Sequence, residues 1–328
     1  MALRVLVTGA AGFIGSHTCQ KLLRRGHQVV GIDNLNDYYD PARKQANLVE
    51  IGATPGADRF RFERVDLRDR SGLADLFRRE KFDAVVNLAA MAGVRVSIED
   101  PHLYVDVNLT GTLNLLLLCK EHAVGNFVLA STSSAYGATE VFPFVETDVC
   151  DRPLAPYATS KRAAEMMAFT YYHLFGVNST VLRFFTVYGP RGRPDMMAYK
   201  VLDNIFFDEP LQLFNGGEMW RDWTYVDDIT EGVCNAAERP LGYEIINLGR
   251  GEMVKLADFV GIIEELSGRP CKATYAPKMD ADIDRSFADI SKARRLLDYD
   301  PKVSVREGIE NFWNWYRGAV LQPSQAPA

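Results

Sequence analysis

Short apolar runs alternate with longer amphipathic stretches through the first half of the chain. Arg4–Thr8, His27–Asp33, Phe60–Asp66, Ala84–Ala90, Phe127–Thr132 and Thr180–Phe185 have the length and β-branched content of buried strands, and the segments between them carry apolar residues at helical spacing. Such alternation predicts a parallel sheet covered by helices on both faces, a doubly wound, Rossmann-like α/β fold. Leu103–Glu121 and Tyr157–Phe175 are the expected long helices. Beyond Gly189-Pro190 the elements shorten and Pro and Gly interrupt them, which predicts a smaller C-terminal α/β domain. Tyr243–Leu248 reads as a strand returning to the main sheet. The expected division is 1–185, joined by about 226–249, for the sheet domain and 186–318 for the smaller one, with 319–328 a disordered tail.

Composition narrows the class. The chain has 328 residues, 47% of them hydrophobic, and a formal net charge of −6, as in an ordinary globular protein. That mild acidity argues against nucleic acid as a partner. The longest apolar run, Leu113–Cys119, is too short to span a membrane, and Ala2–Val7 is too short for a signal peptide. Five cysteines, an odd number without CxxC spacing, read as reduced thiols of a cytoplasmic protein. The five histidines lack metal-ligand spacing, so no metal is expected.

Candidate chemistry lies where strands end. Arg4–Thr8 runs into Gly9-Ala10-Ala11-Gly12-Phe13-Ile14-Gly15, after which a helical pattern begins. Glycines there permit a tight turn and let backbone N–H groups approach a pyrophosphate at the positive end of a helix. The second strand ends in Asp33, about 20 residues on, where an adenosine ribose presents its hydroxyls. An acid at that point disfavours a 2′-phosphate, so NAD is expected over NADP. Arg43 and Lys44 follow too late to be close phosphate partners unless a folded loop brings them back. The strand Phe127–Thr132 ends in the hydroxyl cluster Ser131-Thr132-Ser133-Ser134. Tyr157 and Lys161 stand four residues apart, on one face of a helix, where a cation favours the phenolate of a proton-exchanging tyrosine.

With these motifs in order, the chain resembles the extended short-chain dehydrogenase/reductase family, and within it the NAD-dependent nucleotide-sugar epimerases that act on UDP-glucuronate. The resemblance runs from about Arg4 to Arg317 and is carried by Thr132-Ser133-Ser134, Tyr157 with Lys161, Arg183 to Pro190, Arg191-Gly192-Arg193-Pro194-Asp195-Met196 and Arg221 to Asp228. It implies an isomerase that inverts C4 of UDP-glucuronic acid to give UDP-galacturonic acid through a 4-keto intermediate, with tightly bound NAD. The implied catalytic residues are Tyr157, Lys161 and Thr132. The cofactor residues are Gly9, Gly12, Phe13, Ile14, Gly15, Asp33, Asn34, Asp66, Leu67, Leu88, Ala89 and Ala90, with Tyr157 and Lys161. For the UDP-sugar they are Thr132, Ser133, Ser134, Tyr157, Thr186, Arg193, Gln212, Leu213, Phe214, Arg221, Asp282 and Arg285.

Arg193 carries the substrate distinction, since a sugar carboxylate calls for a forked cation with hydroxyl donors around it. A clamp on that carboxylate would also keep the β-keto acid intermediate from losing CO2. The match departs from the family pattern at Met91, where a glutamine is usual, and at Lys278–Asp282, which lacks an expected glycine. A 4,6-dehydratase or a decarboxylase would need acids near Thr132, where this chain has Ser133 and Ser134. A UDP-glucose/UDP-galactose epimerase and a non-catalytic cofactor sensor remain the alternatives. A homodimer through the two long helices is the expected assembly.

Overall fold

The computed structural model describes residues 2–279 and 281–322. Seven parallel strands form the central sheet: β1 (Arg4–Thr8), β2 (Gln28–Asp33), β3 (Phe60–Arg64), β4 (Ala84–Asn87), β5 (Asn126–Thr132), β6 (Ser179–Phe184) and β7 (Tyr243–Leu248). Their order is β7-β6-β5-β4-β1-β2-β3, so the direction of winding reverses between β1 and β4. Such a switch point opens a crevice beyond the carboxyl ends of the strands. The five inner strands are buried on both faces, which is why they read mostly as apolar runs, whereas the edge strand β3 is part-exposed and alternates. The doubly wound fold expected from the sequence is the fold observed.

One face is covered by α1 (Phe13–Arg24) and, from the second half of the chain, the helix Val226–Glu238. The other carries Arg70–Arg79, α2 (Gly111–Glu121) and α3 (Pro156–Phe175). In α3 the residues Ala158, Lys161, Ala164, Glu165 and Ala168 make the buried stripe, while Met166 and Phe169 point out, 58% and 49% exposed. The smaller strands pair away from the sheet. Thr186–Tyr188 lies parallel to Trp223–Tyr225, Gln212–Phe214 lies parallel to Thr274–Ala276, and Trp220–Arg221 sits between Val254–Lys255 and Arg285–Ser286. Among the described residues no helix is long and apolar enough to cross a membrane, and no group of three or more His, Cys, Asp or Glu could hold a metal ion.

Two local expectations are corrected and one is refined. Ala84–Ala90 is a strand only to Asn87, because Thr8 draws the Ala89 N–H off the ladder with a 3.0 Å bond to its hydroxyl. The helix expected over Leu103–Glu121 is continuous but not α-helical throughout: Pro101–Tyr104 passes without interruption through a wider, π-type turn at Val105–Thr110 into α2. That turn carries Asn108 inward, where its side chain accepts the Met91 N–H at 2.9 Å and donates to the Met91 carbonyl at 2.9 Å and the Ser160 hydroxyl at 3.0 Å. The third concerns the tail expected from residue 319. Arg317–Leu321 is helical and packs Val320 and Leu321 on the core, while 323–328 lie outside the described residues.

Candidate active site

The cleft at the switch point is lined by every residue the sequence assigned to the cofactor, from Gly9 to Lys161. Gly9 turns the chain at φ +68°, where a side chain would be strained, and a Cβ there would sit 2.9 Å from the Ala89 nitrogen. At Gly15 a Cβ would lie 2.0 Å from the Gly9 carbonyl oxygen, so the turn and the first turn of α1 pack too closely for any side chain. Gly12 meets only the Gly9 carbonyl and faces the cleft, and α1 begins there without a side-chain cap. Uncapped N–H groups at the positive end of a helix, beside a glycine, fit a pyrophosphate.

At the adenosine end, Asn34 donates to Asp66 at 2.8 Å, and Arg68 forks onto the same carboxylate at 2.9 and 2.8 Å. The Arg68 guanidinium and the Asn34 amide hold the Asp66 carboxyl well below the usual carboxylate range. Lys44 does fold back: it is buried and lies 3.5 Å from Asp33.

Tyr157 and Lys161 emerge from the start of α3, whose first residue is Pro156. The Tyr104 ring meets the Tyr157 ring edge-on at 6.2 Å, and Tyr104 is itself fixed by donating to the Ala92 carbonyl at 2.7 Å. Burial pushes the Tyr157 phenol up, while the Thr132 hydroxyl and the Arg193 guanidinium pull it down. Thr132 accepts the Ser134 N–H at 3.1 Å, which leaves its own proton to point at the phenol oxygen. Lys161 lies buried on the same face of α3. Its own ammonium is disfavoured by burial, which lowers its pKa to about 8, against an opposing contribution from Glu165. Arg193 is a further cation acting on the phenol, one that the four-residue spacing does not disclose.

Lys161 therefore passes from cation to neutral amine as the pH rises through about 8. An alkaline limb near that pH is expected in kcat/KM. In Lys161→Met, which has no charge to lose, activity should be lower throughout and that limb absent. A limb that persists in the variant would assign it to another group.

Arg193 comes from the loop after Gly189-Pro190 and lines the same cleft. Its Nε and Nη2 already grip Asp195 at 2.9 and 2.8 Å, and the guanidinium lies 5.8 Å from the Tyr38 ring centroid. This fixes the plane of the fork and turns Nη1 to any further acceptor. Ser133, Ser134, Thr186, Arg221 and Asp282 line a second, adjoining pocket. There, among the described residues, Arg221 donates only to carbonyl oxygens, that of Trp220 at 2.9 Å and that of Asp284 at 3.4 Å, and to a methionine sulfur. Burial without a carboxylate fork lowers its pKa.

The late segment is looser. Arg285 lines an outer groove that also touches Asp282. Gln212 is exposed and Leu213 is buried in the core, so neither side chain faces the pocket. Phe214 connects to it through Arg95, whose guanidinium lies 3.7 Å from the Phe214 ring centroid and 2.8 Å from Asp282.

Sequence reasoning missed Tyr38, Arg95 and a buried ion pair. Tyr38 follows Asn36-Asp37 in a polar loop, a signal too weak to separate from an exposed turn. The ion pair joins Glu165 of α3 to Arg183 of β6 at 3.0 and 2.7 Å, both fully buried, with Ser131 of the cleft wall donating to the same carboxylate. An arginine inside an apolar strand was its one sequence signal.

Comparison with known proteins agrees with this geometry. Residues 5–249 match the model of the NAD dependent epimerase/dehydratase family. A UDP-glucuronate 4-epimerase of Thermodesulfobacterium geofontis is 45% identical over 311 residues, 94% of this chain and 95% of that protein. The crystal structure of UDP-glucuronic acid 4-epimerase from Bacillus cereus, in complex with UDP-glucuronic acid and NAD, is 36% identical, with a TM-score of 0.89 over 96% of this chain and 99% of the other. A UDP-glucose 4-epimerase of Thermus thermophilus in complex with NAD is also 36% identical, with a TM-score of 0.86 over 97% of this chain and 100% of the other. With a glycine turn, a strand-end acid and a Tyr/Lys helix converging on one switch-point cleft, the chain belongs to the NAD dependent epimerase/dehydratase family.

Proposed function

We propose that this protein inverts C4 of UDP-glucuronic acid to give UDP-galacturonic acid, with NAD as a resident cofactor. The observation that carries the reading is the meeting of Tyr157 and Arg193 in one cleft, a proton acceptor and a forked cation beside a strand end rich in hydroxyls. Relatives named for the same reaction support it.

Bound NAD supplies a reversible acceptor for the hydrogen on C4, so no net oxidation results. Gly9, Gly12 and the start of α1 hold its pyrophosphate, Asp33 and Asn34 the adenosine ribose, and Asp66 and Leu67 the adenine. Leu88, Ala89 and Ala90 wall the segment next to them, and Lys161 holds the other ribose. Tyr157 takes the O4 proton of the substrate, and the Thr132 hydroxyl shares in the transfer. Burial holds the phenol above its ordinary pKa, and the Thr132 hydroxyl and the Arg193 guanidinium are the groups of this chain that favour the phenolate as the proton moves. The 4-keto sugar turns over and receives hydrogen on its other face. Nη1 of Arg193, with Ser133, Ser134 and Thr186, holds the sugar carboxylate near the carbonyl plane. Arg221 takes the diphosphate, and Phe214, Asp282 and Arg285, with the backbone of Gln212 and Leu213, form the uridine end.

The neutral-sugar alternative keeps one observation in its favour: Asp195 already occupies much of the Arg193 fork. Incubating the purified protein, without added NAD, with UDP-glucuronic acid, UDP-glucose or UDP-xylose and analysing the products separates the readings. Conversion of UDP-glucuronic acid alone is expected; turnover confined to UDP-glucose would replace this reading with its neighbour. The same reading includes a homodimer through the exposed Met166 and Phe169 face of α3, to be checked by sedimentation. A cytoplasmic location belongs to it as well, supported by five free thiols, four of them buried.

A further inference from the structure

The helix Pro41–Gly52 returns a cation to the end of β2. Lys44 has 6% of its side chain exposed, its Nζ lies 3.5 Å from Oδ1 of Asp33, and it donates to Oδ1 of Asn36 at 2.7 Å. The ammonium also sits 5.3 Å from the Tyr39 ring centroid. Lys44, Asp33, Asn36 and Tyr39 all line the cofactor cleft. Asp33 is nearly as buried as Lys44, and its Oδ1 also accepts the Leu35 N–H at 2.8 Å. No hydrogen bond from a described residue reaches Oδ2, so that oxygen faces the ligand's ribose while Oδ1 is engaged by the protein.

We propose that Lys44 is a second specificity-determining residue at the adenosine end of the cleft, a phosphate-binding cation masked by Asp33. Paired, Lys44 neutralises Asp33 and fixes its orientation for a ribose with free hydroxyls. Unpaired, the same ammonium is a preformed partner for a ribose 2′-phosphate. The preference for NAD then depends on one charge, that of Asp33, and not on the shape of the pocket. The physical reason is the cost of leaving a buried ammonium without an anion, which makes any anion offered at that point a strong partner.

Two neighbouring cations are engaged elsewhere: the Arg43 guanidinium lies 4.8 Å from the Tyr199 ring centroid, and Arg68 is forked onto Asp66. Arg64, opposite Asp33 on β3, donates through Nε to the Asn34 carbonyl at 3.1 Å and is the competing cation. Lys44 differs from it in being buried and already paired with Asp33.

The inference rests on the NAD reading above, and its test separates the two. Full-length wild type, Asp33→Ser, Asp33→Asn, Lys44→Met and the Asp33→Ser/Lys44→Met double variant are exchanged against a large equimolar excess of NAD and NADP. After desalting and denaturation, the retained dinucleotides are measured by mass spectrometry, with thermal melting in each nucleotide as a second readout. Wild type is expected to retain NAD, and Lys44→Met, whose Asp33 loses its orienting cation, to retain less NAD without gaining NADP. In Asp33→Ser the retained NADP to NAD ratio should rise by about tenfold or more, the worth of a charge-assisted hydrogen bond, and the double variant should lose that gain. Asp33→Asn, close in shape to the native residue, carries the same expectation should the serine variant fold poorly. Neutral variants that keep the wild-type ratio overturn the role of Lys44, as does a double variant that keeps the NADP gain, which would shift the role to Arg64 or Arg68. A wild type without preference for NAD would overturn the cofactor reading itself and this inference with it.

Discussion

Replacing Tyr157 by phenylalanine is expected to slow conversion of UDP-glucuronic acid by about 100-fold to 10,000-fold, the usual contribution of a positioned acid or base. The substitution removes one oxygen. The ring keeps its edge contact with Tyr104, and the backbone at this position is already set by Pro156 at the start of α3. Both ligands should therefore bind nearly as before, and the loss should fall on kcat rather than on KM. Thr132 cannot replace the lost acceptor, because an aliphatic hydroxyl without a base beside it gives up its own proton too reluctantly to act as a general base. Turnover near that of the wild type would end the catalytic assignment.

Arg193→Ala is expected to weaken binding of UDP-glucuronic acid by roughly 2 to 5 kcal/mol while changing UDP-glucose far less. Asp195 sets the size of the effect. By holding Nε and Nη2 it orients the guanidinium, and Nη1 is the edge offered to a second anion. Truncation leaves the sugar carboxylate without a cation in a partly desolvated site, but it also frees Asp195, whose negative charge then repels the same substrate. Because Asp195 is 36% exposed, water can take over part of its pairing, so the fold should survive. The carboxylate of the 4-keto intermediate would no longer be held near the carbonyl plane, and some turnovers should end as a pentose nucleotide with release of CO2. Equal weakening of both nucleotides without extra CO2 would make Arg193 a general loop contact.

What the sequence could disclose was set by the range of the interaction. Gly9 to Gly15, Asp33, and Tyr157 with Lys161 were legible because each works through fixed local spacing at a strand end or along one helix face. The sheet was legible for a related reason, since burial on both faces writes itself as apolar runs. Spacing did not reveal which charge meets which. Lys161 and Tyr157 share a helix, yet a further cation, Arg193, also bears on the phenol and is carried in on a loop far along the chain. Arg183 lies inside an apolar strand and finds Glu165 only because β6 runs beneath α3. Lys44 reaches Asp33 because a helix folds back over the strand end, a path no local pattern encodes. At Gln212–Phe214 the reading identified a strand but not the facing of its side chains. Leu213 turns into the core, and Phe214 meets the pocket only through Arg95.

The wide turn at Val105–Thr110 also sets the rotational phase of everything after it. An α-helix advances about 100° per residue, so one extra residue in a single turn rotates the next helix by about that angle relative to a continuous one. α2 presents Leu115, Leu116, Leu118 and Cys119 to the sheet only after that rotation. A deletion of one residue anywhere in the turn would leave every side chain of α2 unchanged and aim its apolar face past the sheet, while withdrawing Asn108 from Met91 and Ser160. Chain length, more than residue identity, is the quantity under constraint in this segment.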